Sequence, residues 1–330
     1  MKTHERMETG MTCDTTTRLP AMCFGEFFGT FLLVLFGTGA VAVAVLFQAH
    51  AGLFQVAVIW GVGATLAIYA TRHLSCAHLN PAVSWGMVLA GRMRGRLLPW
   101  YWASQMLGGI AAGGVVLMLF HGAITDYEAV HHITRGAPAS VQTAMMFGEY
   151  FPNPGFAASG LGVSVSTAIL AEALGTFLLV LMIFALTEGC NVGRPADGLA
   201  PVFVGATVTA IIAFIAPLTQ AGLNPARDFG PRLVAYFAGW GQVAIPGPQG
   251  GFFLVYIAAP LLGGTIAAVC FRLVLAPLMV GQDLFAQVSD PGRQSRHTSL
   301  GGTACQVSCT PQSDGFAWQD PAEAAVEHSR

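Results

Sequence analysis

The sequence predicts an all-α membrane protein with six transmembrane helices and two half-helices arranged as an inverted repeat. Three observations support this fold class. The 330 residues are 54% hydrophobic but only 10% charged, and their mean hydropathy is +0.61. Long stretches lack any charged side chain, and two different motifs occur twice at nearly equal spacing. The charge-free stretches are 27–71, 97–125, 198–226 and 233–271.

This composition excludes several classes of protein. Soluble domains carry roughly 25% charged residues, far more than this chain. The net charge of −2 gives no reason to expect a nucleic-acid partner. The seven cysteines are scattered, with no Cys-x-x-Cys pair and no histidine at ligand spacing, so we predict no metal site.

Six apolar runs are each near the ~20 residues that cross a bilayer core. They are 24–46, 53–71, 98–120, 165–187, 199–218 and 252–275. Two shorter apolar segments, 80–91 and 224–237, both begin with Asn-Pro-Ala. Asparagine as the N-cap and proline at the first helical position mark a helix start. We therefore expect two half-helices that enter the membrane and stop inside it.

The internal repeat is the strongest structural signal. Residues 29–35, Gly-Thr-Phe-Leu-Leu-Val-Leu, recur identically at 175–181, 146 residues later, and Glu26 and Glu172 precede the two copies at the same distance. The two Asn-Pro-Ala motifs lie 144 residues apart. Each unit holds three crossings, and an odd number of crossings makes the second copy enter from the opposite face. Inverted repeats with interrupted segments point to a solute site at the bilayer midplane.

The predicted organisation places one channel domain between two tails. Of the 15 lysines and arginines, all but Arg135, Arg227 and Arg232 fall on the side of the termini, so we expect both termini in the cytoplasm. The domain limits are a tail at 1–21, a channel domain at 22–276 and a polar, disordered tail at 277–330. Within the channel domain, repeat 1 spans about 22–120, the outer connection spans 121–164, and repeat 2 spans about 165–276.

Two half-helices that meet head to head can select neutral solutes. Each N-terminus carries about +0.5 of an elementary charge, which repels cations and protons. Amide N–H groups of Asn80 and Asn224 can then donate to a water or hydroxyl oxygen. A single Asn-Pro-Ala is ordinarily just a capped helix start, whereas two in matching repeat positions indicate a pore. The predicted pore motifs are Asn80, Pro81, Ala82, Asn224, Pro225 and Ala226.

The segments 78–83 and 222–232 resemble the major intrinsic protein family, the aquaporins and aquaglyceroporins, and the likeness covers residues 22–276. Asp228, Arg232 and the pair 260–261 are similar to the bacterial glycerol-facilitator branch, as are 127–136 and 152–154. The resemblance implies an aquaporin-like fold and a passive channel for glycerol, other small uncharged solutes and water. It also implies a homotetramer in a bacterial inner membrane, no cofactor and no enzymatic activity.

The resemblance further implies a selectivity filter of Trp60, Ile212, Ala221 and Arg227. Arg227 at membrane depth is expected to hold solute oxygens and repel cations, although it could simply brace the loop. Trp60 would form an apolar wall, although a tryptophan in a span is more often a packing or interfacial residue. Ile212 and Ala221 depart from the glycine and phenylalanine usual in glycerol facilitators. A water, ammonia, urea or metalloid-acid channel of the same family is therefore the alternative.

The remaining predicted site residues hold the pore in place. In the family, carboxylates at the positions of Glu26 and Glu172 accept hydrogen bonds from the half-helix loops, an interpretation favoured over a proton relay. Asp228 is expected to pair with Arg232, four residues on. His78 either lines the cytoplasmic vestibule or is a satisfied loop histidine. Cys76 is interpreted as a packing substitution rather than a reactive thiol.

Two functions of other classes compete with a channel. An ion-coupled secondary transporter would share the inverted repeat but needs titratable residues on a moving element. A membrane enzyme would need a cluster of catalytic side chains, which the spans do not offer.

Overall fold

The computed structural model describes residues 15–160 and 162–279, and this part of the chain is helical and contains no strand. The predictions for residues 1–14 and 280–330 lie outside the described residues. The helices are α1 (Thr15–Phe47), α2 (Leu53–Ser75), α3 (Pro81–Leu89), α4 (Leu98–Val130), α5 (Val141–Ala144), α6 (Val165–Thr187), α7 (Ala200–Thr219), α8 (Pro225–Ala235) and α9 (Ala259–Cys270). Single π-helical turns, Leu254–Ala258 and Phe271–Leu275, extend α9 at both ends.

The predicted fold class is confirmed. Six helices among the described residues are long and apolar enough to cross a membrane. Large apolar side chains on their outer surface are exposed, including Met118, Leu119 and Phe214, as expected of helices that face lipid. α3 and α8 have 9 and 11 residues, about half the length of a span. The chain is therefore an integral, multi-pass membrane protein.

Two helices extend beyond the predicted limits. α1 begins at Thr15, inside the predicted tail 1–21. α4 continues to Val130, so the first ten residues of the predicted connection 121–164 are helical. The apolar run ends near residue 120, but a helix does not need to end where it leaves the membrane. Glu128, in the last turn, bonds to Arg135 at 2.8 Å and to Thr143 at 2.8 Å, which holds this extension on the segment that follows.

The half-helices are exchanged between the repeats. α3 of the first repeat packs on α9 of the second, while α8 of the second packs on α4 of the first. α2 and α7, which occupy equivalent places in the repeats, cross each other at Gly61 and Gly205. This symmetric exchange makes each half-helix depend on the opposite repeat for its packing.

Paired glycines permit the close approach of the half-helices. A Cβ atom added at Gly109 of α4 would lie 2.5 Å from the carbonyl oxygen of Ala226, and one added at Gly264 of α9 would lie 2.8 Å from the carbonyl oxygen of Ala82. Ala82 and Ala226 are the equivalent residues of the two Asn-Pro-Ala motifs. Small residues at helix contacts in membranes allow backbones to pack directly, and here they bring a spanning helix onto each half-helix.

We expect Gly109→Ala to lower the thermal stability of the detergent-solubilised protein, because the new methyl group overlaps the Ala226 carbonyl of α8. Overpacking of this kind destabilises by about 1–3 kcal/mol. The matched control is Gly114→Ala on the same helix, where no atom lies within 4 Å of the added Cβ. Equal melting temperatures for the two variants would show that α8 yields without strain.

Candidate functional site

The two half-helices begin with the same capping structure. The Asn80 side chain is the N-cap of α3, and its Oδ1 accepts a hydrogen bond from the Ala82 amide at 2.8 Å. Asn224 caps α8 in the same way and accepts from the amides of Ala226 at 3.1 Å and Arg227 at 3.2 Å. Pro81 and Pro225 occupy the first helical positions, where a missing N–H loses no bond.

The two caps also bind each other's loops. Asn80 Nδ2 donates to the carbonyl oxygen of Leu223 at 2.9 Å, and Asn224 Nδ2 donates to that of Leu79 at 2.8 Å. These reciprocal bonds join the two half-helix N-termini head to head. A carboxamide has two N–H donors, and each asparagine uses one of them here. The second N–H of each makes no hydrogen bond to any residue that the structure describes, so both remain available to a solute.

The loops that lead into the half-helices share one backbone conformation. Three residues of the first loop have left-handed φ angles of 51° to 67°, and the residues 144 positions later have φ angles of 57° to 63°. The pairs are Cys76 and Gln220, Ala77 and Ala221, and Leu79 and Leu223. Irregular backbone at membrane depth persists only when it is buried in protein or lines a wet cavity. The repeat has therefore preserved an unusual local structure as well as the motif.

Glu26 and Glu172 are both fully buried, and each supports one of these loops. Glu26 accepts from the amides of His78 at 2.9 Å and Leu79 at 2.8 Å, and from Gln105 Nε2 at 2.7 Å. Its contacts match the scaffold role that the resemblance implies.

Glu172 makes the corresponding contacts in the second repeat. It accepts from the amides of Gly222 at 2.9 Å and Leu223 at 2.7 Å, and from the Thr219 hydroxyl at 2.6 Å. Gly222 and Leu223 belong to the loop that leads into α8, and Thr219 is the last residue of α7. Three hydrogen bonds hold each carboxylate in place, which agrees with the scaffold role implied for both.

Asp228 and Arg232 form the pair expected from their spacing on α8. Arg232 Nε lies 3.0 Å from Asp228 Oδ2, and Arg232 Nη2 lies 2.8 Å from Asp228 Oδ1. The pair is almost completely buried and also binds the backbone outside α8. Arg232 donates to the carbonyl oxygens of Ala244 and Glu149, and Asp228 accepts from the Glu149 amide at 2.6 Å. It therefore ties α8 to the connecting segment.

The four residues expected to form the filter lie close together. Trp60, Ile212 and Ala221 belong to one apolar cluster, and each is less than 5% exposed. The Arg227 guanidinium carbon lies 4.0 Å from the centre of the Trp60 ring, within the range of a cation–π contact. Gly37 also packs against that ring, and a Cβ atom added there would lie 2.2 Å from it. Arg227 therefore contacts the apolar cluster through Trp60.

Sequence reasoning missed Glu149. Its carboxylate forms an ion pair with Arg227, and both side chains are 4% exposed. Glu149 follows no helical or strand period and lies in the segment that was predicted only as an outer connection. No local pattern could have identified it, because its partner is 78 residues away.

The connecting segment reaches Arg227 because it is tied to the end of α7 and to the loop that follows. The Tyr150 amide donates to Gln220 Oε1 at 2.9 Å, and Asn153 Nδ2 donates to the Ala216 carbonyl at 2.7 Å. Tyr150 also lines an outer cavity of about 210 Å³. Burial raises the pKa of the Tyr150 hydroxyl to about 12, although Arg232 opposes the shift, so the hydroxyl stays neutral at physiological pH.

His78 and Cys76 occupy the first loop, on the other side of the paired asparagines from α8. His78 Nδ1 lies 3.2 Å from Ser84 Oγ, and the imidazole contacts the Tyr101 ring in a tilted arrangement, with the ring centres 5.1 Å apart. These contacts favour a satisfied loop histidine. Cys76 is exposed and has a φ of 67°. The interpretation of Cys76 as a packing substitution stays a prediction.

Comparisons with known proteins agree with this geometry. The family model described as Major intrinsic protein matches residues 15–271. The glycerol uptake facilitator protein of Pseudomonas aeruginosa is 40% identical over 266 residues, which cover 80% of this chain and 92% of that protein. The Escherichia coli protein of the same name is 38% identical, covering 78% of this chain and 89% of its own length. A propanediol uptake facilitator of Citrobacter freundii is also 38% identical, covering 78% and 93%.

A solved structure supports the fold. The aquaglyceroporin from Plasmodium falciparum aligns with a TM-score of 0.68 at 24% identity, covering 79% of this chain and 98% of that one. At this identity the likeness concerns the fold alone. The resemblance seen in the two Asn-Pro-Ala segments is confirmed by the family match and by the identity of the relatives. The chain belongs to the major intrinsic protein family.

Proposed function

We propose that the protein is a passive channel for glycerol and other small uncharged solutes, with water as an accompanying permeant. The observation that carries this proposal is the reciprocal bonding of Asn80 and Asn224, which leaves one amide donor of each at the meeting point of two half-helices. The bacterial relatives described as glycerol uptake facilitators support the choice of solute. Downhill flux needs no chemistry, and the protein is not an enzyme.

The arrangement can pass a polyol and exclude an ion. A hydroxyl oxygen accepts from the free N–H groups of the two asparagines at the midplane, and at the separate filter the carbon side of the molecule contacts Trp60 and Ile212. A cation meets two half-helix N-termini, each carrying about +0.5 of an elementary charge. At these N-termini the two asparagine side chains offer the cation N–H donors and no free acceptor oxygen that could replace its hydration shell. We include Pro81, Ala82, Pro225 and Ala226 in the proposed pore motifs, because they fix the two caps.

The ranking of solutes depends on Ile212 and Ala221. A small side chain at 221 removes volume from one wall of the filter, and a branched one at 212 adds volume to another. Because the volume lost at one wall is regained at another, the filter can still admit glycerol. A water, ammonia, urea or metalloid-acid channel is the alternative within the family. An ion-coupled transporter is disfavoured, because Glu26 and Glu172 are each held by three hydrogen bonds and Asp228 is paired with Arg232.

Stopped-flow light scattering on proteoliposomes tests the proposal. It measures the permeability to glycerol and urea from outward gradients of each solute, and the water permeability is measured in parallel. We expect glycerol to equilibrate faster through the unaltered protein than through empty vesicles. Ala221→Trp is the blocked control, since an indole in place of a methyl group fills the space beside Trp60 and Ile212. It is expected to reduce glycerol flux to the level of empty vesicles. Glycerol flux that never exceeds this level would contradict the proposal.

We also propose a bacterial plasma membrane with both termini in the cytoplasm, and a homotetramer with one pore in each subunit. The distribution of lysine and arginine supports the orientation, and family membership supports the tetramer. A reporter enzyme active only in the periplasm, fused after residue 330, should remain inactive. Light scattering in detergent should give four times the mass of the 34.6 kDa chain.

A further inference from the structure

Arg227 does not face the pore as an unopposed charge. Its Nη1 forms an ion pair with Glu149 Oε1, and both side chains are almost completely buried. The second carboxylate oxygen, Glu149 Oε2, is buried and accepts no hydrogen bond from any residue in the described ranges. Burying an ionised carboxylate is costly unless every part of it is paired, so an unused oxygen at this level requires an explanation.

The position of Glu149 is determined by its own backbone. Its amide donates to Asp228 Oδ1 at 2.6 Å, and its carbonyl oxygen accepts from Arg232 Nη2. Because Asp228 and Arg232 are anchored on α8, these bonds hold Glu149 beside Arg227, which lies on the same half-helix. Glu149 also lines the outer cavity of about 210 Å³, together with Tyr150, Arg232, Phe252 and Tyr256. It is therefore shared by the cavity and by the filter.

We infer that Glu149 is a fifth selectivity residue, which cancels the charge of Arg227 and offers its free carboxylate oxygen to the solute. The inference rests on the proposed channel function. With the pair intact, the filter is electrically neutral and has both a donor and an acceptor. Cation exclusion at the filter then depends on the balance between the two charges, and the N-termini of α3 and α8 form a separate barrier at the midplane.

This pair suits solutes that both donate and accept hydrogen bonds. A hydroxyl group can donate to Glu149 Oε2 while its oxygen accepts from the remaining N–H groups of Arg227, and an amide group can do the same. Small polyols and amides therefore match the filter at two points, whereas a simple anion is met by the carboxylate. A lone guanidinium would instead attract anions.

A two-residue cycle tests the charge balance. We expect Arg227→Ala to carry a cation-selective current in planar bilayers with a KCl gradient, because Glu149 is left unopposed. Adding Glu149→Gln to Arg227→Ala should remove that current, since no net charge remains. If Arg227 excluded cations by its own charge, the double variant would conduct as well as Arg227→Ala. That result would overturn the inference, and so would the absence of any cation current in Arg227→Ala.

The single substitution Glu149→Gln is expected to favour anions rather than cations. It leaves Arg227 unopposed, so we expect nitrate permeability to rise about tenfold or more, a change equivalent to ~1.4 kcal/mol. The ratio of glycerol to water permeability should fall as well. Glu188→Gln is the matched control, because Glu188 also pairs with an arginine, Arg92, but lies at the other end of the protein from the outer cavity. Nitrate flux equal to that of Glu188→Gln would overturn the inference.

The ion-current and nitrate measurements test the role of Glu149 separately from the proposed glycerol transport. If the unaltered protein passed water but no glycerol, the proposed solute would be wrong, while the bilayer currents and nitrate fluxes would still decide the role of Glu149. Melting curves of each variant in detergent establish that the protein is folded. The double variant buries no unpaired charge at this pair, so it is expected to fold at least as well as either single variant.

Discussion

Arg227→Ala is expected to raise the leak of protons and monovalent cations through the protein at least about tenfold, a factor that corresponds to ~1.4 kcal/mol. The substitution removes the only positive side chain among the proposed filter residues and leaves the buried carboxylate of Glu149 without a partner. It also opens the space beside the Trp60 ring, which Arg227 now covers at 4.0 Å. A pH-sensitive dye inside proteoliposomes measures the proton leak after an external pH step.

Arg92→Ala is the matched control for this measurement. Arg92 also forms an ion pair, with Glu188, and its guanidinium lies over the rings of Phe184 and Phe271 at 4.9 Å and 5.1 Å. Its loss should leave the proton leak at the level of the unaltered protein. An unchanged leak in Arg227→Ala would mean that the dipoles of α3 and α8 suffice alone to exclude cations.

Breaking the Arg227–Glu149 pair also has a cost in stability. Removal of one partner of a buried ion pair is destabilising by about 3–5 kcal/mol, because the other charge stays buried and uncompensated. The proton leak must therefore be compared at a temperature where both proteins are folded, as judged by their melting curves in detergent.

The fold could be predicted because its elements are specified by local sequence features. The Asn-Pro-Ala caps depend on two adjacent residues, and apolar length alone identifies a span. The repeat then joins these local signals, because Glu26 and Glu172 recur at the same distance from their Gly-Thr-Phe runs. The contact between each glutamate and its loop is not local, since it joins residues more than 45 positions apart, and it was expected only because the resemblance to the family implies it.

Two kinds of contact could not be predicted from the sequence. They are the contacts between the two repeats and the contacts of the segment that connects the repeats. Gly109 and Gly264 are important because they face Ala226 and Ala82 of the opposite repeat, and nothing near either glycine in sequence indicates this. Glu149 lies in the connection between the repeats, which has no second copy for comparison. The extension of α4 was missed for a related reason, since its last turns are polar and rest on Arg135 and Thr143.

The second large effect is expected for Glu172→Ala, which should prevent stable folding. The Glu172 carboxylate is fully buried and accepts from the Gly222 and Leu223 amides and the Thr219 hydroxyl. Each buried donor left without an acceptor costs about 1–3 kcal/mol, and three of them together approach the 5–15 kcal/mol by which a typical protein is stable. Size-exclusion chromatography in detergent and thermal melting measure the loss.

Two further variants make this prediction specific. Glu188→Ala removes a glutamate that is only partly buried and should change the melting temperature little. Glu172→Gln keeps one oxygen and the shape of the side chain, so it should melt between the unaltered protein and Glu172→Ala. The equivalent change Glu26→Ala should be as damaging as Glu172→Ala, because Glu26 also accepts three hydrogen bonds. If Glu172→Ala melted at the same temperature as Glu188→Ala, the Glu172 carboxylate would not stabilise the loop. A buried carboxylate without a structural role would then favour the proton-relay interpretation.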